Sequence, residues 1–347
     1  FLNPIMNWDQ GFNQIMSNLL VCAMTASFTG PHIVLYLVSK QFPPLLETLA
    51  TVSRRITDPT EQKIMSDYAD SGRRMTETLI TLSLVFTLPT FAFPFISMVI
   101  DMISPLEDGS RRIFIMVPME FIFFKLEDHY ISSSWLISCA GMSNFMSGAL
   151  ICCIYILTMR QTSGLFSVTC SRLNNILVGD RSSQEMTQAD YGKCRKNLQD
   201  VVSLHAEAIR VTDQLEDTFN LIVLSFQIPA VIMLSLSYYY IAKVRGVPLC
   251  RHYIEVVLIA GFNAFLLCYN ALGQEIIDIS TEVYYSACSC EWIALPIRER
   301  KYMLLIVQRA LNPVQLTAGK VSILSYETFA KVTKASLSYF TILKSLT

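Results

Sequence analysis

Six polar residues near the end of the chain recur at helical spacing. Glu327, Lys331, Lys334, Ser338, Thr341 and Ser345 follow one another at alternating steps of four and three. On a helix this spacing puts all six on one stripe. The rest of Ser325–Thr347 is apolar enough to lie in a membrane. A helix over that stretch is about 34 Å long at about 1.5 Å per residue, enough to cross a hydrocarbon core of about 30 Å. A spanning helix with a continuous polar stripe needs water or polar partners along it. Two readings follow: a helix lining an aqueous pore, or an amphipathic helix packed on soluble domains.

Other reactive side chains form no constellation. The four histidines, His32, His129, His205 and His252, are scattered, and His205-Ala206-Glu207-Ala208 lacks the second histidine of a metalloprotease helix. There is no P-loop and no glycine-rich nucleotide turn, so neither an enzyme nor a cofactor is indicated. Of the ten cysteines, most lie in or beside apolar runs, and Cys288-x-Cys290 has no partner pair for zinc. They read as small apolar packing residues, with an extracellular disulfide through Cys250 left open. No metal site is expected.

The elements that would position the stripe are membrane spans. The chain is 52% hydrophobic and 16% charged, against about 25% charged in soluble domains. A net charge of −1 gives no case for a nucleic-acid partner. Spans are predicted at about 16–38, 79–103, 135–157, 221–242 and 253–272, before the final helix from Ser325. Gly30-Pro31 is expected to kink the first. Ser325 is a good N-cap, with Glu327 in the first turn. The chain opens at Phe1 without a methionine and reads as a fragment, with one truncated span before the first.

Between the spans, 39–77 reads as a helix leaving the membrane into water. The segment 158–213 reads as long amphipathic helices, with Leu198, Val201, Val202, Leu204, Ile209 and Val211 on one side. The segment 273–324 reads as polar, with a helix over 297–311 ended by Asn312-Pro313 and a chain break at Leu316–Lys320. These three segments hold 18 of the 27 Lys and Arg, which places them on the cytoplasmic side and the C-terminus outside. The expected fold class is all-α: a polytopic bundle of seven spans with the N-terminus inside. Its parts are membrane spans and loops over 1–272, a cytoplasmic anchor over 273–324 and the final helix over 325–347.

The C-terminal residues carry a resemblance. Asn312-Pro313, Leu316-Thr317-Ala318-Gly319-Lys320, Leu324-Ser325, Glu327-Thr328-Phe329, Lys334-Ala335-Ser336 and Ser338-Tyr339-Phe340-Thr341-Ile342-Leu343 together resemble the C-terminal signature of insect odorant receptors. The signature covers about 35 residues, and the order of spans and long loops extends the likeness over the whole chain. Gustatory receptors are similar in layout, but Ser345-Leu346 does not match their Gln-Phe ending. A G-protein-coupled receptor is the main rival. Against it, Asn312-Pro313 lies outside any span, no Asp-Arg-Tyr follows a third span, and the orientation is reversed. A transporter is a third alternative.

The resemblance implies a ligand-gated, non-selective cation channel in the plasma membrane of olfactory sensory neurons. It implies a tetramer shared with an obligate co-receptor, membrane lipid around it, and a small volatile odorant as ligand. The ending Lys344-Ser345-Leu346-Thr347 does not look like the co-receptor's, so the chain is expected to be an odorant-tuned subunit. Alignment on the Tyr-Phe pair places Ile342 and Leu346 at the family's hydrophobic gate, with Ser338, Thr341 and Ser345 keeping the pore wet. Lipid or helix contact is the competing reading for the two apolar residues. A ring of lysines would oppose cation flow, so Lys331 or Lys334 is expected to point away from the axis or to pair with an acid. An odorant pocket is implied between spans, in the outer half of the membrane. Its candidates are Met24, Phe28, Phe91, Phe93, Phe95, Met142, Phe145, Met146, Phe262 and Phe265. For any one of them, plain helix packing competes.

Overall fold

A computed structural model describes residues 8–104, 130–176, 188–243, 249–290 and 297–345. These residues form eight helices: α1 (Trp8–Leu37), α2 (Phe42–Arg54), α3 (Pro59–Ile103), α4 (Tyr130–Asn174), α5 (Gln188–Lys243), α6 (Leu249–Ser289), α7 (Ile297–Ala310) and α8 (Tyr326–Ser345). A short 3-10 turn joins α1 to α2. Between α7 and α8 lie two strands, β1 (Thr317–Ala318) and β2 (Ser322–Ile323), paired antiparallel. The predicted all-α class therefore gains one small hairpin. The expected loop over 104–134 falls mostly outside the described residues, and so does the side chain of Cys250.

Several helices are far longer than a bilayer is thick. At about 1.5 Å per residue, α4 is about 68 Å long and α5 about 84 Å. Each continues an apolar segment into a polar one without a break. Among the described residues, α1, α4, α5 and α6 are long and apolar enough to cross a membrane. Glu327, Lys331, Lys334 and Lys344 make α8 too charged to count by that measure. The predicted span over 79–103 lies in α3, where many side chains fall outside the described set.

The polar segments differ in detail from expectation. Segment 39–77 is two helices rather than one. Asp58 ends the turn between them and caps α3: its carboxylate accepts the Thr60 N–H at 2.7 Å and the Glu61 N–H at 3.4 Å, with Pro59 in the first position. Gly273 was expected to open a polar stretch, yet α6 runs through it to Ser289. Ile276, Ile279, Val283 and Ala287 continue one buried face, so the packing carries the helix past the glycine. A Cβ at 273 would lie 2.4 Å from the Leu324 Cβ, so the glycine serves close approach. In α5 the amphipathic reading holds. Leu198, Val201, Leu204, Ile209 and Val211 are buried, Val202 is half-buried, and Gln199, Ser203 and Arg210 face outward.

Helix α5 is central, packing on α1, α4, α6 and α8. At the polar end, charged joints fasten α3 to α4 and α4 to α6. Arg172 holds Glu61 through two bonds of 2.7 Å. Arg160 holds Glu275 at 2.5 Å and lies 4.7 Å from the centre of the Tyr68 ring. Among the described cysteines none forms a disulfide. The Cys152 and Cys268 thiols meet at 3.7 Å between α4 and α6, as packing residues would.

Candidate functional site

The two faces of α8 have opposite fates. Phe329, Val332, Phe340 and Leu343 pack against the core, and Ser336 is fully buried among them. The Phe340 ring meets Tyr238 of α5 at 6.4 Å. The other face carries Glu327, Lys331, Lys334, Ser338, Thr341 and Ser345, and all six are exposed. The predicted stripe therefore points away from the chain along its whole length. Ile342 stands beside it, 54% exposed. Leu346 lies outside the described residues. Ser325 caps the helix as expected, its Oγ accepting the Thr328 N–H at 3.2 Å.

Charge and hydrogen bonding on the stripe are arranged in order. At its start, Lys331 pairs with Glu327 at 2.7 Å, which meets the expectation that one lysine would be neutralised. Further along, each hydroxyl donates its proton back to the helix: Ser338 to Lys334 O at 2.9 Å, Thr341 to Ser338 O at 2.7 Å, and Ser345 to Ile342 O at 2.8 Å. With their single protons used, the three oxygens offer only lone pairs outward.

A second feature lies inside the bundle. Phe28 of α1 is 3% exposed and is surrounded by four rings. Their centres lie 5.5 Å (Phe145), 6.5 Å (Phe226), 5.3 Å (Phe262) and 6.4 Å (Phe265) away. Phe226 and Phe262 stack at 5.7 Å, nearly parallel. Met24 packs against the same core. Three of these rings, Phe28, Phe226 and Phe265, border a cavity of about 10 Å³ together with Pro31, Gly148 and Tyr269. That is about the room a single water needs.

Of the ten residues the sequence proposes for a pocket, Met24, Phe28, Phe145, Phe262 and Phe265 come together. Met146 is half-buried on α4. Met142 is 38% exposed, and Phe95 sits edge-on to the exposed Trp135 at 5.7 Å, so neither joins the rings. The side chains of Phe91 and Phe93 lie outside the described residues. Phe226, Gly148 and Tyr269 went unnamed. Phe226 could have been found by taking the aromatic residues of every span. Gly148 carries no signal of its own: only the ring packed against it reveals its part. His32 is satisfied locally, with Nδ1 at 2.6 Å from Phe28 O. Among the described residues, no group of three or more His, Cys, Asp or Glu could hold a metal.

The 7tm odorant receptor family matches residues 11–337. The chain belongs to this family. Members are receptors and not enzymes, and the long apolar helices of this chain make it a multi-pass membrane protein. It is 23% identical over 222 residues to putative odorant receptor 92a of Drosophila melanogaster, covering 62% of this chain and 50% of that one. It is 24% identical over 162 residues to the odorant receptor coreceptor of Ooceraea biroi, covering 46% of this chain and 34% of the other. The matches thus span a third to a half of the length of these relatives. Among solved structures, insect olfactory receptor OR5 of Machilis hrabei in complex with eugenol superposes with a TM-score of 0.76 at 13% identity, over 97% of this chain and 82% of that one. A second structure of OR5 gives 0.57 at 11% identity, over 98% and 90%. At these identities the likeness establishes a shared polytopic helical fold.

Proposed function

We propose that this odorant receptor is an odorant-tuned subunit of an odorant-gated, non-selective cation channel, assembled with a co-receptor in a heterotetramer. The observation that carries the reading is the outward polar face of α8. Lipid would leave that face unsatisfied, and the chain's own helices do not cover it. Several such helices around an axis would satisfy one another through water. The outward hydroxyl oxygens favour cations, and Ile342 with Leu346 form the gate by excluding water. Glu327, Lys331 and Lys334 stand at the cytoplasmic mouth.

The polar end supports assembly. On α7 and one residue past its end, Ile297, Leu304 and Leu311 recur every seven residues and are 76%, 53% and 58% exposed. Leu305 beside them is 57% exposed. An apolar row among the charged ends of the helices has no lipid to cover it and suits a neighbouring subunit. The match to named coreceptors is consistent with a partner of similar build. Seven spans, an N-terminus inside, an extracellular C-terminus and residence in olfactory sensory neurons complete the reading. The cavity bordered by Phe28 and Phe265, with Met24, Phe145 and Phe262 near it in the core, is the place for a small apolar volatile. The eugenol bound by the OR5 structure is a ligand of that kind.

The test is electrical. Excised membranes containing the protein and a co-receptor, without nucleotide or G protein, should pass cation current when volatile compounds are applied. No evoked current across a broad panel would refute the channel reading.

A further inference from the structure

The start of α8 is fastened to the two helices that carry most of the rings. On α5, Glu216 grips the hairpin with both oxygens: Oε2 accepts the Thr317 N–H at 2.7 Å and Oε1 accepts the Thr317 hydroxyl. One turn on, Asn220 O accepts the Gly319 N–H at 2.9 Å. On α6, Asn270 is fully buried. Its Oδ1 accepts the Ser325 N–H at 3.2 Å, and its amide donates to Leu266 O at 2.8 Å. Ser325 is the cap of α8. Asn270 directly follows Tyr269, a wall of the aromatic cavity.

We propose that Asn270 is a positioning residue that couples the aromatic cavity to α8, with Glu216 as the second fastening. This rests on the channel reading given above. A cavity of about 10 Å³ cannot admit an organic volatile unless its walls move. Movement of the Tyr269 wall moves the next residue of the same helix. The Asn270 side chain is held at both ends in a fully buried site, so breaking either bond leaves an unpaired buried group. The cap of α8 therefore follows α6. The Glu216 grip makes the hairpin follow α5 as well, and the two helices steer α8 as a pair. Coupling of this kind needs a difference in contacts between two states of the cavity, and the closed rings supply one of them.

The test uses the full receptor with its co-receptor. The probe is the member of a panel of monocyclic aromatic volatiles, eugenol included, that stabilises the purified complex most against heat. Asn270→Leu removes the acceptor, Asn270→Asp keeps it, and Glu216→Gln keeps the shape of the grip. In Asn270→Leu the maximal current per surface receptor should fall about 3- to 10-fold, the range for one lost hydrogen bond. The concentration giving half of the thermal stabilisation should stay as in wild type. Asn270→Asp should keep most of the current. Hydrogen exchange at 325–329 should change with the volatile in wild type and not in Asn270→Leu. Wild-type current in Asn270→Leu, or equal losses of binding and current in both Asn270 variants, would overturn the proposal. If Asn270→Leu does not assemble, Glu216→Gln decides, with the same loss of current at unchanged binding expected and no loss overturning it. A wild-type complex that passes no current but shows the exchange response would refute the channel reading and leave the coupling standing. No exchange response on binding would overturn the coupling itself.

Discussion

A single methyl group at Gly148 should disturb the whole aromatic cluster. A Cβ there would lie 2.6 Å from Phe28 Cδ1 and 3.0 Å from its Cε1. Carbon atoms pack best at about 3.5–4.0 Å, so the ring must retreat by about 1 Å. Phe28 has nowhere to go. Four rings stand around it at centre distances of 5.3–6.5 Å, and the free space beside it is about 10 Å³. Overpacking of this kind costs about 1–3 kcal/mol. With an unfolding entropy of about 2 cal/mol/K per residue, the melting temperature should fall by about 1–4 °C. The assay is thermal unfolding of purified Gly148→Ala, run beside Phe28→Leu and the double variant. Phe28→Leu replaces the rigid ring with two methyl groups that can turn away, so the penalty at 148 should largely vanish in that background. The two changes would then be non-additive by more than about 0.5 kcal/mol. Gly148→Ala melting as wild type would refute the reasoning, and so would simple additivity, because each would mean that the rings are free to repack.

Four further outcomes are expected. Gly319 has a φ of +61°, and a Cβ there would lie 2.3 Å from Leu224 Cδ2; Gly319→Ala should destabilise the receptor by more than about 1 kcal/mol in thermal unfolding. The hydrogen bond from the Thr60 hydroxyl, then that from the Thr60 N–H, holds the Asp58 carboxyl below its ordinary value of 3.8. A depressed carboxyl stabilises when ionised, so the difference in melting between wild type and Asp58→Ala should be full above pH 3.8 and should shrink as pH falls through the depressed value. In the channel reading, Ile342→Ser should raise the resting conductance recorded without a volatile, and an unchanged leak would remove Ile342 from the gate. Lys334 is exposed on the stripe one turn beyond the Glu327–Lys331 pair; Lys334→Glu should raise single-channel cation conductance at low ionic strength, where the charge is least screened.

The polar stripe of α8 was legible because it depends on local rules alone. Steps of four and three fix a face, and a serine followed by a glutamate in the first turn marks a cap. The buried face of α5 over 198–211 was legible for the same reason. Helix length was not. The sequence marks where apolar residues stop, but nothing in Asn270-Ala271-Leu272-Gly273-Gln274 tells a helix to end. Its buried side continues through Ile276 and Ile279, and tertiary packing decides. Half of the aromatic set was legible as residue type and not as geometry. Phe28 and Phe95 look alike in the sequence, yet one is the hub of the rings and the other lies by an exposed tryptophan. Contacts between α1, α4, α5 and α6 separate them, and those join residues far apart in the chain. The Glu216–Thr317 and Asn270–Ser325 joints span 101 and 55 residues, beyond any local pattern.

The closed state of the rings bears on how such a receptor could be switched at all. A ligand shifts an equilibrium only by its difference in affinity between two states. A cavity already open to the size of a volatile would bind it without needing any helix to move. Here the free space holds about one water, so in the channel reading, which seats the volatile among these rings, it can bind only in a state where the rings have parted. Parting them exposes ring surface and loosens contacts worth about 0.5–1.5 kcal/mol for each aromatic pair. That expense lowers the apparent affinity by the fraction of time the open state exists. The same expense is what commits the ligand to the open arrangement, and a tightly packed hub makes the commitment larger. A loosened hub should therefore bind volatiles more readily and distinguish the two states less. Phe28→Leu ought to lower the half-maximal concentration for binding while reducing the ratio of evoked to resting current. A variant that gained in both would show that the rings only fill space.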